Sequence, residues 1–439
     1  MKKFFRYFLM TAFVAGFSSC SEIEDGTTDI DSWEDEYKPV EYTFNHPCML
    51  HQQSDIDYVK SNLSRTPWKE AWDKLEANPY SNVERAANPT PLISRTNGNA
   101  ECPNNATNFG RDCAGIYQLG LRYALTGDRV AAERAVANIK AWAENCNGIH
   151  HNGDTNQTLI LFQVYQFANG MELLRDYNDY GNSDDFKKAA DWLVEKFYPQ
   201  ANDFLARHNN TYDHYWLNWD LAAMTAILSM GILTDDQEKV NEAVAYFKTG
   251  IGAGRFEKAA PFVYDDPDGT GIKIAQCNES GRDQGHATLC ASLMAGFCMM
   301  AYNIGEDLFA FDNHRMIAMA EYIAKYNVPL PGITTPLNEG DFAHPTTSMP
   351  YTAHIWCPDN NNKTGERTEL GASGRGTKRP GWEIWRNYAR KNNFKTVYID
   401  EFADYLMPDE GAGIYDTNTG GYDQAGCSTL MFYREAAGE

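Results

Sequence analysis

The sequence predicts an all-α fold: an α/α toroid, an incomplete barrel of helical hairpins, with a short β-hairpin insertion and an irregular C-terminal segment. Three observations lead there. Apolar residues recur at helical spacing from about Ile56 to Tyr326, interrupted by short connectors that carry cap residues. Some of these stretches, such as Leu217 to Leu233 and Ala287 to Tyr302, are apolar nearly all round, whereas Arg129 to Asn145 has one polar face. Alternating buried and half-exposed helices suit an inner and an outer ring.

The elements follow in order. Ile56 to Leu75 has helical spacing, with Trp68 and Trp72 four apart. Asp112 to Leu125 is a second apolar helix, and Thr126-Gly127-Asp128 stops it and caps the next, Arg129 to Asn145. Thr158 to Tyr177 and Ser183 to Phe197 come next, the latter behind the cap pair Ser183-Asp184. Tyr215 to Leu233 and Asp236 to Tyr246 pair through Thr234-Asp235. Phe262 to Gln276 breaks the rhythm as a strand-like hairpin around Asp265-Asp266-Pro267-Asp268-Gly269. Its aspartates do not complete a calcium loop, so a plain turn is expected. Glu279 to Ile304 and Phe311 to Tyr326 form the next pair, with Ser280 or Asn278 as the expected cap of the first. From Pro329 to Thr377 the chain is rich in Gly, Pro, Asn and Thr and carries His344, Tyr351 and His354, a long irregular stretch of the functional kind. Trp382 to Lys391 reads as helix again.

The fold is expected to occupy residues 41–439. Residues 1–19 read as a signal peptide: Lys2, Lys3 and Arg6 precede an apolar stretch, Phe8 to Phe17, too short to span a bilayer. Phe17-Ser18-Ser19-Cys20 resembles a bacterial lipobox, which implies a lipid anchor through Cys20. Residues 20–40 form an acidic tether, with eight acids between Cys20 and Tyr37. The net charge of -22 excludes nucleic acid as a natural partner. An acidic ligand needs a local basic patch, and nine basic residues against three acids from Lys363 to Lys395 supply a candidate. The nine cysteines beyond Cys20 lack CxxC spacing, which argues against a zinc site and a disulfide scaffold. No metal cluster has ligand spacing, and no cofactor is expected.

Two clusters carry chemistry. Asn278-Glu279-Ser280-Gly281-Arg282-Asp283-Gln284-Gly285-His286 runs straight into an apolar helix, placing Arg282 and His286 on one face of its first turns. Such groups at the mouth of a buried helix contact one another or a ligand. Tyr212-Asp213-His214-Tyr215-Trp216-Leu217-Asn218-Trp219-Asp220 opens another buried helix, with Tyr215, Asn218 and Trp219 on one face. Aromatic rings stack on pyranose faces while amides bond hydroxyls, so this mixture suits a sugar site. A solvated capping turn and an aromatic packing belt are the bland alternatives.

Together with the helix ending in Thr126-Gly127-Asp128 and the helix Ala131 to Trp142, these segments resemble the alginate-lyase-like group of polysaccharide lyases, common as lipoproteins of Bacteroidetes. Among named families the chain most resembles polysaccharide lyase family 38, whose members cleave glucuronan or alginate. It departs from neighbouring families in two places. Their Asn-Asn-His-x-Tyr-Trp corresponds to Tyr212-Asp213-His214-Tyr215-Trp216, and their Tyr beyond the Arg corresponds to Thr288 to Cys290. The resemblance implies β-elimination on an acidic, uronate-containing polysaccharide, giving 4,5-unsaturated ends. It also implies a lipid-anchored location at the outer membrane, cell surface or periplasm of a Gram-negative bacterium.

That reaction makes definite demands. The carboxylate beside the C5 proton must be neutralised, and donors fixed before reaction do this best. Asn218, Arg282 and Gln284 are the candidates. The base is His214 or His286, since imidazole titrates in the right range, or a Tyr whose pKa nearby cations lower. Tyr215 is the first candidate acid for the leaving O4, and Tyr351 the second. Glu279 orients Arg282 or His286, Trp219 is a stacking platform, and Tyr351 and His354 are further substrate contacts. Two other classes compete. A glycoside hydrolase on the same toroid needs two facing acids, such as Asp220 with Glu279 or Asp283. A surface glycan-binding lipoprotein needs only an aromatic platform.

Overall fold

The computed structural model describes residues 37–95, 102–151, 155–355, 366–409 and 423–436. The signal segment, Cys20 and all but the end of the acidic tether lie outside them, as does Lys363 of the basic run.

Helices α1 (Gln53–Asn62) and α2 (Trp68–Ala77) replace the single stretch expected from Ile56 to Leu75. Pro67 separates them, because proline cannot donate the hydrogen bond a continuous helix needs. Helix α3 (Ala106–Thr126) ends on Gly127, which has φ 72°, a left-handed value suited to glycine. Asp128 then accepts from the amide of Ala131 and starts α4 (Arg129–Asn145), as its cap position implied. The expected helix from Thr158 to Tyr177 is shorter: a 3₁₀ run, Thr155–Gln163, leads into α5 (Val164–Glu172). Ser183 caps α6 (Asp184–Arg207), which continues past Phe197 and through Pro199 because Ala201, Phe204 and Leu205 extend its buried stripe. Helix α7 (Leu217–Leu233) starts two residues after Tyr215, and Asp236 caps α8 (Gln237–Thr249). A single turn, α9 (Phe256–Ala259), precedes the hairpin. Helices α10 (Gln284–Asn303) and α11 (Phe311–Asn327) form the following pair.

The inner ring is legible in burial. Every residue of α7 except Trp219 is buried, and α7 packs against α5, α6, α8 and α10. Helix α3 holds the same place among α1, α4 and α5. The C-terminal helices α12 (Trp382–Lys391), α13 (Tyr398–Leu406) and α14 (Ser428–Phe432) follow the irregular segment. Helix α12 lies on α10, with Trp385 donating to the carbonyl of Ala291, and α14 returns to α1 and α2. No helix among the described residues is long and apolar enough to cross a membrane.

Strands β1 (Phe262–Asp265) and β2 (Lys273–Gln276) pair antiparallel, Phe262 opposite Gln276. The aspartates of their turn are held by a buried lysine of α11. Lys325 Nζ lies 2.5 Å from Asp266 and 2.9 Å from Asp268, so an ammonium neutralises these two carboxylates. The eight described cysteines are buried and form no disulfide with one another.

Glu321 of α11 fixes the start of α13 by accepting from the amides of Val397, Tyr398 and Ile399 at 2.8, 2.8 and 3.1 Å. Burial lifts its carboxyl from 4.5 to about 7, and the three amides keep it from rising further. A folded value above the unfolded one means the protonated acid favours folding. That contribution is complete below about 4.5 and is lost as pH rises through about 7. Denaturant titration of wild type and Glu321→Gln at both ends of this window should show the wild-type advantage shrinking with pH, by up to about 3 kcal/mol. A difference that does not change with pH would refute this.

Candidate active site

The site forms where the N-terminus of α7 meets the turn before α10. Residues 278–281 are a 3₁₀ turn rather than the first turn of α10, so the expected caps Ser280 and Asn278 are not its caps. Asp283 takes that role, accepting from the amide of His286 at 2.9 Å. Arg282 therefore stands outside the helix instead of on its face. The freed Asn278 accepts from the amide of Leu217 at 3.3 Å and so ties the turn to α7.

Glu279 is the junction of the two clusters. Its side chain is fully buried and accepts from the amide of Asn218 at 3.2 Å and from Arg282 Nη1 at 3.2 Å. A carboxylate at a helix N-terminus meets unsatisfied amides and the positive end of the dipole. Arg282 also lies 3.6 Å from Asp283, and Asp283 lies 2.7 Å from His286 Nδ1. Residues 218, 279, 282, 283 and 286 thus form one connected chain of contacts. Burial raises the Asp283 carboxyl, but the hydrogen bond and charge of His286, with Arg282, outweigh it and leave it below the ordinary range. Asp283 is therefore an anion that accepts a hydrogen bond from Nδ1 of His286, whose side chain is 37% exposed. The Oδ1 of Asn218 is buried without a partner among the described residues, which leaves that amide uncommitted.

Gln284 is a correction. Its Nε2 donates to the carbonyl of Gly371 at 2.8 Å and its Oε1 accepts from Asn327 at 2.9 Å. With its amide spent on the loop and on α11, it is no neutraliser of a substrate carboxylate. The predicted face of Tyr215, Asn218 and Trp219 is also revised, since Tyr215 precedes the helix. Its ring still sits 4.9 Å from that of Trp219, and its hydroxyl accepts from Asn209 at 3.0 Å. His214 stands edge-on to Tyr215, with ring centroids 5.0 Å apart. Asn209 also lines a cavity of about 600 Å³, along with His151, Gln157, Lys196 and Arg207, so open polar space adjoins Tyr215.

The irregular segment supplies the opposite wall. Strands β3 (His354–Ile355) and β4 (Glu366–Arg367) pair His354 with Arg367. Tyr351 donates to the carbonyl of Arg367 at 3.1 Å. Gly281 lets both come close: a Cβ there would run into the Tyr351 hydroxyl and lie 2.6 Å from the Arg367 Cβ. Burial pushes the Tyr351 phenol up to about 12, with Arg367 pulling it back, so it holds its proton at any physiological pH. Burial lowers His354, whose Nδ1 lies 3.2 Å from the Gln276 amide.

Trp216 and Arg367 had no assigned role in the sequence. Arg282 and Arg367 lie over the Trp216 indole, 5.5 and 5.3 Å from its centroid. Arg367 was visible only as one charge of the basic run. That run is not one patch: Arg386 is buried against Glu383 and Asp404, Arg375 reaches Glu339, and Arg379 reaches Gln424.

His46, Cys48 and Glu172 are the one group among the described residues with metal-ligand spacing. Their atoms are already partnered. His46 bridges Glu172 and Asp235 at 2.7 and 2.8 Å, while Arg175 and the Cys48 amide hold Glu172. This network pins the segment ahead of α1 to α5, away from the cleft.

A family model described as alginate lyase matches residues 57–330. An alginate lyase from Bacteroides ovatus has a similar structure, with TM-score 0.52 and 14% identity over 89% of this chain and 100% of that one. Alginate lyase A1-III from Sphingomonas species A1 matches with TM-score 0.52 and 15% identity over the same shares. A variant of A1-III complexed with a tetrasaccharide matches with TM-score 0.52 and 12% identity, over 89% of this chain and 99% of that one. No curated protein sequence matches. At these identities the solved structures establish the toroid fold, and the family model establishes kinship.

Proposed function

Because the chain belongs to the alginate lyase family, we propose that this polysaccharide lyase cleaves a uronate polymer of alginate or glucuronan type by β-elimination at the Asn218–Arg282–His286 cluster. The observation that supports this reading is the buried Glu279, which joins the amide of Asn218 on α7 to Arg282 and so links the two sequence clusters. Arg282 and the Nδ2 of Asn218 donate to the carboxylate at C5 and stabilise the developing enolate. His286 Nε2, oriented by Asp283, takes the C5 proton. The electrons of that C–H bond form the C4–C5 double bond as the C4–O4 bond breaks. Tyr351, a phenol that keeps its proton, returns one to the leaving oxygen, with Tyr215 the alternative acid. His354 and Trp219 flank the sugar.

The test is incubation with polymannuronate, polyguluronate and glucuronan while following the ultraviolet absorbance of 4,5-unsaturated uronate. Rising absorbance on any of them is expected. New reducing ends without absorbance would mean hydrolysis, and binding without either would mean a glycan-binding protein. We also propose lipid attachment at Cys20 and residence at the outer membrane, cell surface or periplasm of a Gram-negative cell, supported by the lipobox and acidic tether. A Cys20→Ala variant released into the soluble fraction is the expected result.

A further inference from the structure

We propose that Arg367 anchors a second anionic subsite, binding the carboxylate of the uronate next to the one undergoing elimination. The proposal rests on the lyase reading of the neighbouring centre and concerns the binding of the adjacent sugar.

Of the two described arginines that lie over the Trp216 ring, Arg367 is the one without an acid. In a chain of net charge -22, the other arginines around the cleft are committed: Arg282 to Glu279 and Asp283, and Arg375 to Glu339. Arg367 has no carboxylate within 4.0 Å among the described residues. Its guanidinium makes one long contact, 3.4 Å, to the carbonyl of Glu366. Its position is nevertheless fixed. Strand pairing with His354, the Tyr351 hydroxyl on its carbonyl, and the absence of a side chain at Gly281 all hold its backbone.

The head group shares the Trp216 indole with Arg282. The two guanidinium carbons are thus no farther apart than the sum of their distances to that ring, which keeps both within reach of one oligosaccharide. Stacking on an indole orders a guanidinium without neutralising it. An ordered, half-buried and unpaired cation beside an elimination centre matches a planar carboxylate that accepts in bidentate fashion. A neutral sugar offers it no such partner.

Binding of a uronate tetrasaccharide and steady-state turnover on the polymer, both measured for wild type, Arg367→Gln and Arg367→Lys, test this. The Gln variant should raise Kd and KM about tenfold with kcat within about threefold, the pattern of lost ground-state binding. The Lys variant should recover part of the affinity. With a carboxyl-reduced tetrasaccharide, wild type and Gln variant should bind equally weakly. Unchanged Kd and KM in a folded Gln variant would overturn the subsite. So would a loss confined to kcat, which would mean that Arg367 shares the carboxylate held by Arg282. The lyase reading fails separately: wild type that binds the tetrasaccharide in an Arg367-dependent manner yet forms no unsaturated product keeps the subsite and loses the elimination.

Discussion

Arg282→Ala is expected to lower kcat by about 10²–10³-fold while leaving KM within a few fold. Elimination turns a carboxylate into an enolate-like dianion, so charge grows on the carboxylate as the C5 proton leaves. A cation already in place responds without reorganisation, and its effect falls on the transition state rather than on binding. Arg282 meets that condition, because buried Glu279 and the Trp216 indole set its direction before substrate arrives. The variant also leaves Glu279 without its cation, so a melting curve must accompany the kinetics. A stable variant with low kcat supports the assignment, and Arg282→Lys should be intermediate because it keeps charge but not the forked geometry. Undiminished turnover in Arg282→Ala would remove Arg282 from the mechanism.

Much of the architecture is readable from residue order alone. Gly127 and Asp128, Ser183 and Asp236 mark boundaries because a left-handed glycine and a short acceptor side chain act within one turn of the chain. The two buried helices α7 and α10 stand out because they are apolar nearly all round and carry no acid, lysine or arginine beyond the first turn. Other features depend on contacts distant in sequence. Asn278 was read as a cap, yet it caps α7 from 61 residues away. Gln284 looked like a substrate group, yet its amide is consumed by Gly371 and Asn327, a loop and a helix that local pattern cannot bring to it. The basic run looked like one patch because a linear count of charge ignores where each side chain points. Among the described residues of that run, only Arg367, on a strand paired to His354, lies over the Trp216 ring.

Glu279→Ala is the substitution expected to cost most, about 3–5 kcal/mol of stability together with most of the turnover. Its side chain is fully buried, and it contacts three elements at once: the amide of Asn218 on α7, Arg282 in the turn, and Cys290 Sγ on α10 at 3.7 Å. Truncation leaves a guanidinium half-buried without its closest anion and an α7 amide without an acceptor, each a desolvation penalty with nothing to offset it. Glu279→Gln separates the two consequences. Gln keeps the shape and one acceptor oxygen, so the α7 amide can remain bonded and much of the stability survives. It also turns an amide donor toward Arg282, which loses its fixed direction. The expected result is therefore a melting temperature nearer wild type than that of Glu279→Ala, with kcat reduced almost as far as in Arg282→Ala. Combining Glu279→Gln with Arg282→Ala should lower kcat little beyond either change alone, since both act through one guanidinium. Fully additive losses in that double variant would show that Glu279 serves catalysis by some route other than holding Arg282.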